Sequence, residues 1–213
     1  MIKSFIKKFN LEAYLVLIIV WGFIQLFTFY VFHFFIIPFT WLITVLILLI
    51  IFIKNLIYTI KNRKLSLLFY QGLLKLSITI ILFLFTFYGL NYIPQLIIEK
   101  IDWVVLCNER KNIIDEVKKN KLKPNISYND FMCELPYEFP VVSNGGNDIA
   151  IYHNEEKQYT IEFYVFRNFF EAPSTKIIYS ENQKNINYYE DMIKHDPNNN
   201  WKIEKNWYRI YGD

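Results

Sequence analysis

Residues 76–111 read LSITIILFLFTFYGLNYIPQLIIEKIDWVVLCNERK, and this stretch decides the fold because the composition changes within it. Apolar residues dominate up to Ile98, whereas charged residues are frequent from Glu99 onward. Residues 1–100 contain nine Lys or Arg and two Asp or Glu, while residues 101–213 contain 14 and 18 respectively. The sequence therefore predicts a membrane anchor over 1–100 and a water-soluble domain over 101–213.

The anchor contains enough apolar sequence for three membrane-spanning helices. A span needs about 20 mostly apolar residues, because only a helix satisfies its own backbone hydrogen bonds inside lipid. Three segments meet this requirement, at about 13–35, 39–57 and 76–98. Pro38 suits the first turn of a helix, so residues 35–38 are predicted to form a tight hairpin. Lys75 is expected to extend its ammonium group to the headgroups, with residues 65–74 lying along the membrane interface.

The distribution of basic residues predicts how the spans are oriented, since cytoplasmic segments carry an excess of Lys and Arg. Seven basic residues lie at one side of the predicted spans, namely Lys3, Lys7, Lys8, Lys54, Lys61, Arg63 and Lys64. At the other side lies Lys100, which is flanked by Glu99 and Asp102. This bias predicts a cytoplasmic N-terminus and an extracytoplasmic C-terminal domain. A two-span arrangement, with one segment flat on the membrane, would instead place the domain in the cytoplasm.

The domain has the pattern of a helix followed by a sheet. Apolar residues recur at near-helical spacing over 102–121. Short segments rich in aromatic and β-branched residues follow, separated by turn residues such as Gly145-Gly146. Residues 188–194 are predicted to add a short helix, and 201–211 a closing hairpin. The predicted fold class is thus a transmembrane α-helical anchor plus an α+β domain, with one helix beside an antiparallel sheet of five or six strands.

Several short motifs occur at widely spaced positions in this domain. They are, in order, Leu135-Pro136, Ser143 with Gly145-Gly146, Phe166-Arg167, Tyr179-Ser180 and Asn206-Trp207-Tyr208. The resulting pattern resembles that of a bacterial family of small membrane-anchored proteins with no assigned function. The resemblance covers roughly residues 105–211 and implies a discrete β-rich domain without indicating its chemistry. Asn168 stands where many relatives have glycine, and the three-span anchor is longer than is usual in the family.

Arg167 and the two cysteines are candidate functional residues. Arg167 follows a strongly apolar strand, where it would either pair with a carboxylate or recognise an anionic ligand. Cys107 and Cys133 both fall in the domain and could form a disulfide that joins the helix to the first strand. The alternative is that each cysteine is a small buried apolar residue.

The last hairpin carries a group of aromatic residues, Trp201, Trp207 and Tyr208. They would either form core contacts or an exposed patch that binds a partner, since Trp and Tyr dominate interface energetics. The sequence lacks the motifs for a metal site, an activated nucleophile or a phosphate-binding loop. We therefore predict no catalytic residue, metal or cofactor. The acidic balance of the domain also disfavours nucleic acid as a partner.

Together these patterns predict a non-enzymatic, multi-pass protein of the cell membrane. Its extracytoplasmic domain is expected to bind a macromolecular partner, while its anchor contacts the lipid bilayer. An immunity or protective role against a secreted toxin is the most concrete form, because such proteins need an anchor and a binding face but no catalytic group. The alternative is a ligand-sensing signalling or defence protein whose spans assemble into homo-oligomers.

Overall fold

The computed structural model describes residues 11–30, 36–87, 92–166 and 174–212. The chain divides into two compact units. The helical unit comprises residues 1–29 and 33–98, and the sheet unit comprises residues 30–32 and 99–213.

The helical unit contains three long helices, α1 (Leu11–Tyr30), α2 (Ile36–Lys61) and α3 (Ser66–Phe87). All three are long and apolar enough to cross a membrane. The apolar segments that could span are Glu12–Tyr30, Phe39–Lys61 and Ser66–Thr86. Many of their Leu, Ile, Val and Phe side chains are exposed, as expected where the surrounding solvent is lipid.

The third apolar helix does not lie where the sequence pattern placed it. The predicted span was 76–98, but α3 covers Ser66–Phe87 and a further helix, α4, covers Tyr92–Lys118. The segment 65–74, predicted to lie along the interface, therefore forms most of the first half of α3. The charge on Lys75 does not end the helix, because a lysine packs its long apolar stem along the helix surface and directs only its ammonium group elsewhere.

A glycine allows α2 and α3 to pack closely. A Cβ atom built on Gly72 would lie 2.3 Å from Thr59 Oγ1 and 3.0 Å from Thr59 Cα. Small residues at such contacts let helix backbones approach each other in membranes. A side-chain hydrogen bond joins α1 to α3, in which Trp21 Nε1 donates to Thr86 Oγ1 at 2.8 Å.

The sheet unit contains a six-stranded antiparallel sheet, which confirms the predicted fold class. Its strands are β1 (Met132–Glu134), β2 (Asp148–His153), β3 (Tyr159–Phe166), β4 (Ser174–Ser180), β5 (Trp201–Glu204) and β6 (Trp207–Gly212). Their spatial order is β1-β2-β3-β4-β6-β5. Helix α5 (Gln183–His195) connects β4 to β5 and extends beyond the predicted 188–194.

Helices cover both faces of the sheet. Successive strand residues point to opposite faces, so Trp207 and Tyr208 face different helices. The Trp207 ring lies 5.0 Å from that of Trp103 in α4. The Tyr208 ring lies 5.6 Å from that of Tyr189 in α5, within a buried cluster that includes Ile178. The core of the unit is therefore two layers of apolar contacts, one on each side of the sheet.

Candidate functional site

An open cleft of about 810 Å³ lies between the loop that follows α4 and the end of β1. One wall consists of residues 120–125, and the other consists of residues 133–138. This volume falls in the range of roughly 300–1,000 Å³ that is typical of ligand pockets. The cleft is therefore the candidate functional site of the sheet unit.

The first wall is held by Asn125, whose side chain pairs with the outer edge of β1. Asn125 Nδ2 donates to the Glu134 carbonyl at 2.9 Å, and Asn125 Oδ1 accepts from the Glu134 N–H at 2.8 Å. The Asn125 N–H also donates to the Met132 carbonyl at 3.1 Å. These bonds occupy backbone groups that an added strand would need. A ligand in the cleft is therefore expected to contact side chains and turns rather than extend the sheet.

The second wall is held by Asn147, which is buried. Its Oδ1 accepts from the N–H groups of Val142 (2.8 Å) and Ser143 (3.2 Å). Its Nδ2 donates to the carbonyls of Tyr137 (3.0 Å) and Pro140 (2.9 Å). Asn147 has φ 59°, a left-handed conformation that asparagine accepts more readily than most residues. One side chain thus uses its full hydrogen-bonding capacity to shape the loop beside the cleft.

The polar groups at the cleft differ in their protonation chemistry. Tyr137 Oη donates to Glu109 Oε1 at 3.4 Å. Burial raises the pKa of Tyr137 to about 12, with further contributions from the carboxylates of Glu109 and Glu116. Burial likewise raises the pKa of the Cys133 thiol. At neutral pH the cleft therefore presents a phenol and an unreactive thiol, neither of which is an activated nucleophile.

Both signs of charge occur around the cleft. The exposed lining residues include Lys121, Lys123, Glu134 and Glu138. Within the described parts of the chain, no three His, Cys, Asp or Glu side chains are grouped so that they could hold a metal ion. The chemistry that the cleft offers is hydrogen bonding, charge pairing and apolar contact.

Two buried ion pairs involve α4, one within the helix and one between the helix and β6, and both were missed by sequence reasoning. Arg110 Nη2 lies 2.6 Å from Asp102 Oδ2, and both side chains are almost inaccessible. Arg110 Nε also donates to the Val142 carbonyl at 3.0 Å. Arg209 Nε lies 2.9 Å from Glu99 Oε1. The usable signal in the sequence was the pair Glu99 and Asp102, because two acidic residues directly after an apolar run would need buried basic partners.

A third charged group lies at the end of α4. Lys118 Nζ donates to Glu181 Oε1 at 2.6 Å and to Tyr179 Oη at 2.9 Å. Burial alone would raise the pKa of Glu181, but the bonds from Lys118 and Tyr179 hold that pKa below its usual value. The same contacts raise the pKa of Lys118, although burial alone would lower it. Lys118 and Glu181 are partly exposed and paired with each other, so we interpret them as a structural contact rather than a binding site.

The structure does not join the two cysteines. Cys107 and Cys133 are both free thiols. Cys107 is half-buried on α4, and its Sγ contacts the Val104 carbonyl in its own helix at 3.7 Å. Cys133 is fully buried in β1 and also lines the cleft. Cys133 therefore agrees with the alternative interpretation, that of a small buried apolar residue, whereas Cys107 is only half-buried.

The aromatic residues of the last hairpin do not form an exposed patch. Trp207 is 2% exposed and Tyr208 is 0% exposed, so both are core residues and cannot contact a partner directly. Trp201 is half-buried, with the guanidinium carbon of Arg209 4.5 Å from its ring centroid. Arg167, the predicted ligand or ion-pair residue, lies outside the described residues.

The described motif residues have structural roles. Ser143 Oγ donates to the Asp148 carbonyl and accepts from the Tyr164 N–H, which ties the loop to β2 and β3. Gly145 and Gly146 have φ values of 90° and 118°, which side chains rarely permit.

No family model, curated protein or solved structure matches this chain. The suggested family resemblance therefore remains a prediction.

Proposed function

We propose that this chain is a non-enzymatic, multi-pass membrane protein whose sheet unit lies outside the cytoplasm and binds a protein partner in the cleft of residues 120–138. The observation that carries this proposal is the cleft itself, about 810 Å³ in volume. Asn125 and Asn147 brace its two walls, so its shape exists before a ligand binds. Such preorganisation favours binding, because less conformational entropy is lost when the complex forms.

The surroundings of the cleft suit a protein segment. Pro136 provides exposed apolar contact area, and the exposed Lys121 and Glu138 provide charges of both signs. Phe139, next to the lining in sequence, is 84% exposed. Protein interfaces typically combine an aromatic or apolar centre with a polar rim. A polypeptide ligand would use both kinds of contact.

The proposed placement of the sheet unit outside the cytoplasm is supported by the basic residues that flank the three apolar helices. The end of α2 and its connection to α3 are rich in basic residues, namely Lys61, Arg63 and Lys64. The segment before α1 is also basic, with Lys3, Lys7 and Lys8. Cytoplasmic placement of both segments agrees with the positive-inside rule. Three crossings then put the residues after α3 on the opposite side of the membrane.

We expect alkaline phosphatase fused after Asn120 to be active and the same enzyme fused after Arg63 to be inactive, because this enzyme functions only after export. As an independent measurement, an impermeant thiol reagent should label Glu155→Cys in intact cells, since Glu155 lies on an exposed turn. Arg63→Cys should be labelled only after lysis. An inactive fusion after Asn120, together with an unlabelled Glu155→Cys, would place the sheet unit in the cytoplasm.

Partner binding is tested by replacing Glu138 with a photo-crosslinking amino acid in the full chain. We expect illumination of cells to join one defined protein to position 138, because Glu138 is exposed and lines the cleft. Position 155 is the matched control, an exposed glutamate that does not line the cleft. Adding Glu134→Arg should reduce the adduct at 138 strongly. Equal adducts at both positions, or no adduct at 138, would contradict the proposal.

The most concrete form of this role is protection of the cell against a secreted toxin. Such a protein acts by holding a binding face at the membrane, so the described cleft and the three apolar helices are sufficient for it. Cells that lack the gene should then become sensitive to a toxin encoded beside it. Unchanged survival of those cells would exclude protection as the role while leaving the cleft as a binding site.

A further inference from the structure

The helical unit contains a connected group of polar side chains where an inert anchor would need none. All three helices contribute to it, through Tyr14 in α1, Asn55 and Tyr58 in α2, and Lys75 and Thr79 in α3. Tyr14 Oη donates to Asn55 Oδ1 at 2.8 Å, and Asn55 Nδ2 donates to Thr79 Oγ1 at 3.1 Å. Polar and ionisable groups inside a membrane are costly, so they usually mark a site with a function.

The ammonium group of Lys75 is held by two aromatic rings. Its Nζ lies 4.7 Å from the centroid of the Tyr58 ring and 6.0 Å from that of Tyr14. A cation at this distance is attracted by the negative face of an aromatic ring. Because Asn55 bonds to the Tyr14 hydroxyl, it positions one of these rings. The lysine head is therefore held in place by its neighbours.

These contacts place the charge close to one membrane surface. The backbone of Lys75 lies near the middle of the apolar segment Ser66–Thr86. Tyr58, however, lies within one turn of the end of α2 at Lys61, and Tyr14 lies within the first turn of α1. The Lys75 side chain thus extends from mid-span toward the level at which Tyr residues commonly meet the lipid headgroups.

The same surface is strongly basic. Among the described residues of the helical unit, the basic ones are Lys54, Lys61, Arg63, Lys64 and Lys75, and the single acidic one is Glu12. Most of them lie toward the end of α2 or in the connection to α3. Lys75 is half-buried, so part of its side chain lies at the surface of the helical unit. Basic pockets between helices at such a surface are the kind of site that binds anionic headgroups.

We propose that Lys75, held by Tyr14 and Tyr58, binds the phosphate group of an anionic phospholipid at the basic side of the helical unit. Asn55 acts as a positioning residue, because it contacts the tyrosine and not the phosphate. The bound lipid becomes part of the anchor and links α1 to α3 through the polar group. This site is independent of the cleft in the sheet unit.

The test compares the full chain in nanodiscs of phosphatidylcholine with the full chain in nanodiscs that also contain phosphatidylglycerol. We expect the wild-type chain to melt at a higher temperature with phosphatidylglycerol and to retain about one such lipid in native mass spectrometry. Lys75→Met keeps the length of the side chain and removes the charge. It should weaken phosphatidylglycerol retention by about fivefold, the effect of one lysine near an anionic surface. Lys54→Met, which removes an exposed lysine of α2, should retain the wild-type preference.

Inorganic phosphate added to the phosphatidylcholine nanodiscs tests whether a free anion can occupy the site. Phosphate should leave the melting temperature unchanged if the ligand is a lipid. A stabilisation by phosphate equal to that by phosphatidylglycerol would overturn the lipid assignment. Equal loss of retention in Lys75→Met and Lys54→Met would also overturn the proposal, because only general surface charge would then matter. If Lys75→Met does not fold, the wild-type measurement still decides, since equal retention of the two lipids contradicts the site.

Discussion

Replacing Trp207 with alanine should lower the free energy of unfolding of the sheet unit by about 3–5 kcal/mol. Trp207 is 2% exposed, and its ring lies 5.0 Å from Trp103, 5.3 Å from Tyr179 and 6.0 Å from Phe163. Removing the indole would leave a cavity at the point where α4 meets β4 and β6. The loss is measured by hydrogen exchange of the β4 and β6 amides in the full-length chain, which reports local opening of the sheet.

Tyr211→Ala is the matched control, since Tyr211 lies on the same strand and the same side of it but is 40% exposed. Tyr211→Ala should lower the free energy of unfolding by clearly less than Trp207→Ala, because part of the Tyr211 ring already contacts solvent. Similar exchange rates in the two variants would show that Trp207 is not a central core residue. They would also reopen its assignment as a binding residue.

Replacing Arg110 with methionine should destabilise the sheet unit by about 3–5 kcal/mol, the usual effect of removing one partner of a buried ion pair. Asp102 would be left as a buried carboxylate without the guanidinium that lies 2.6 Å from it. The Val142 carbonyl would also lose the hydrogen bond from Arg110 Nε. Hydrogen exchange of the full-length chain measures this change as well, and the amides near Val142 should be among those affected.

The neighbouring residue provides the control for this variant. Lys111 pairs with Glu204 at 2.7 Å, but their side chains are 45% and 41% exposed. An exposed pair contributes at most about 1 kcal/mol, so Lys111→Met should have a small effect. The double variant Asp102→Leu, Arg110→Met should be more stable than Arg110→Met alone, because it removes the uncompensated charge. Equal effects of Arg110→Met and Lys111→Met would contradict the buried-pair interpretation.

The strands show how far local pattern determines the sheet. The short segments rich in aromatic and β-branched residues include Asp148–His153, which forms β2, because alternating apolar residues directly reflect one buried face. The helix after β4 was predicted at 188–194 but begins at Gln183, where Asn182 caps it. Its first three residues, Gln183, Lys184 and Asn185, are polar, so the hydrophobic pattern alone did not indicate where the helix starts. Tertiary packing of its apolar side against Tyr208 stabilises the whole element.

The candidate site was only partly predictable. Ser143 and the Gly145-Gly146 pair stood out in the sequence, and they shape the loop that leads from the cleft to β2. Asn147 did not stand out, although it makes four hydrogen bonds within that loop. Asparagine is common in this chain, and no local pattern separates a bracing asparagine from a solvated one. Its role depends on which backbone groups the folded loop brings near it.

The sequence by itself determined that this protein has an apolar helical part and an α+β part. Solvent preference is a property of composition, and strand and helix periods are properties of short segments. Only the tertiary structure decided which residues meet across long distances in the chain. It placed residues 120–125 opposite residues 133–138 to form the cleft, and it buried Trp207 rather than exposing it. Such contacts depend on how loops and faces pack, which no local pattern specifies.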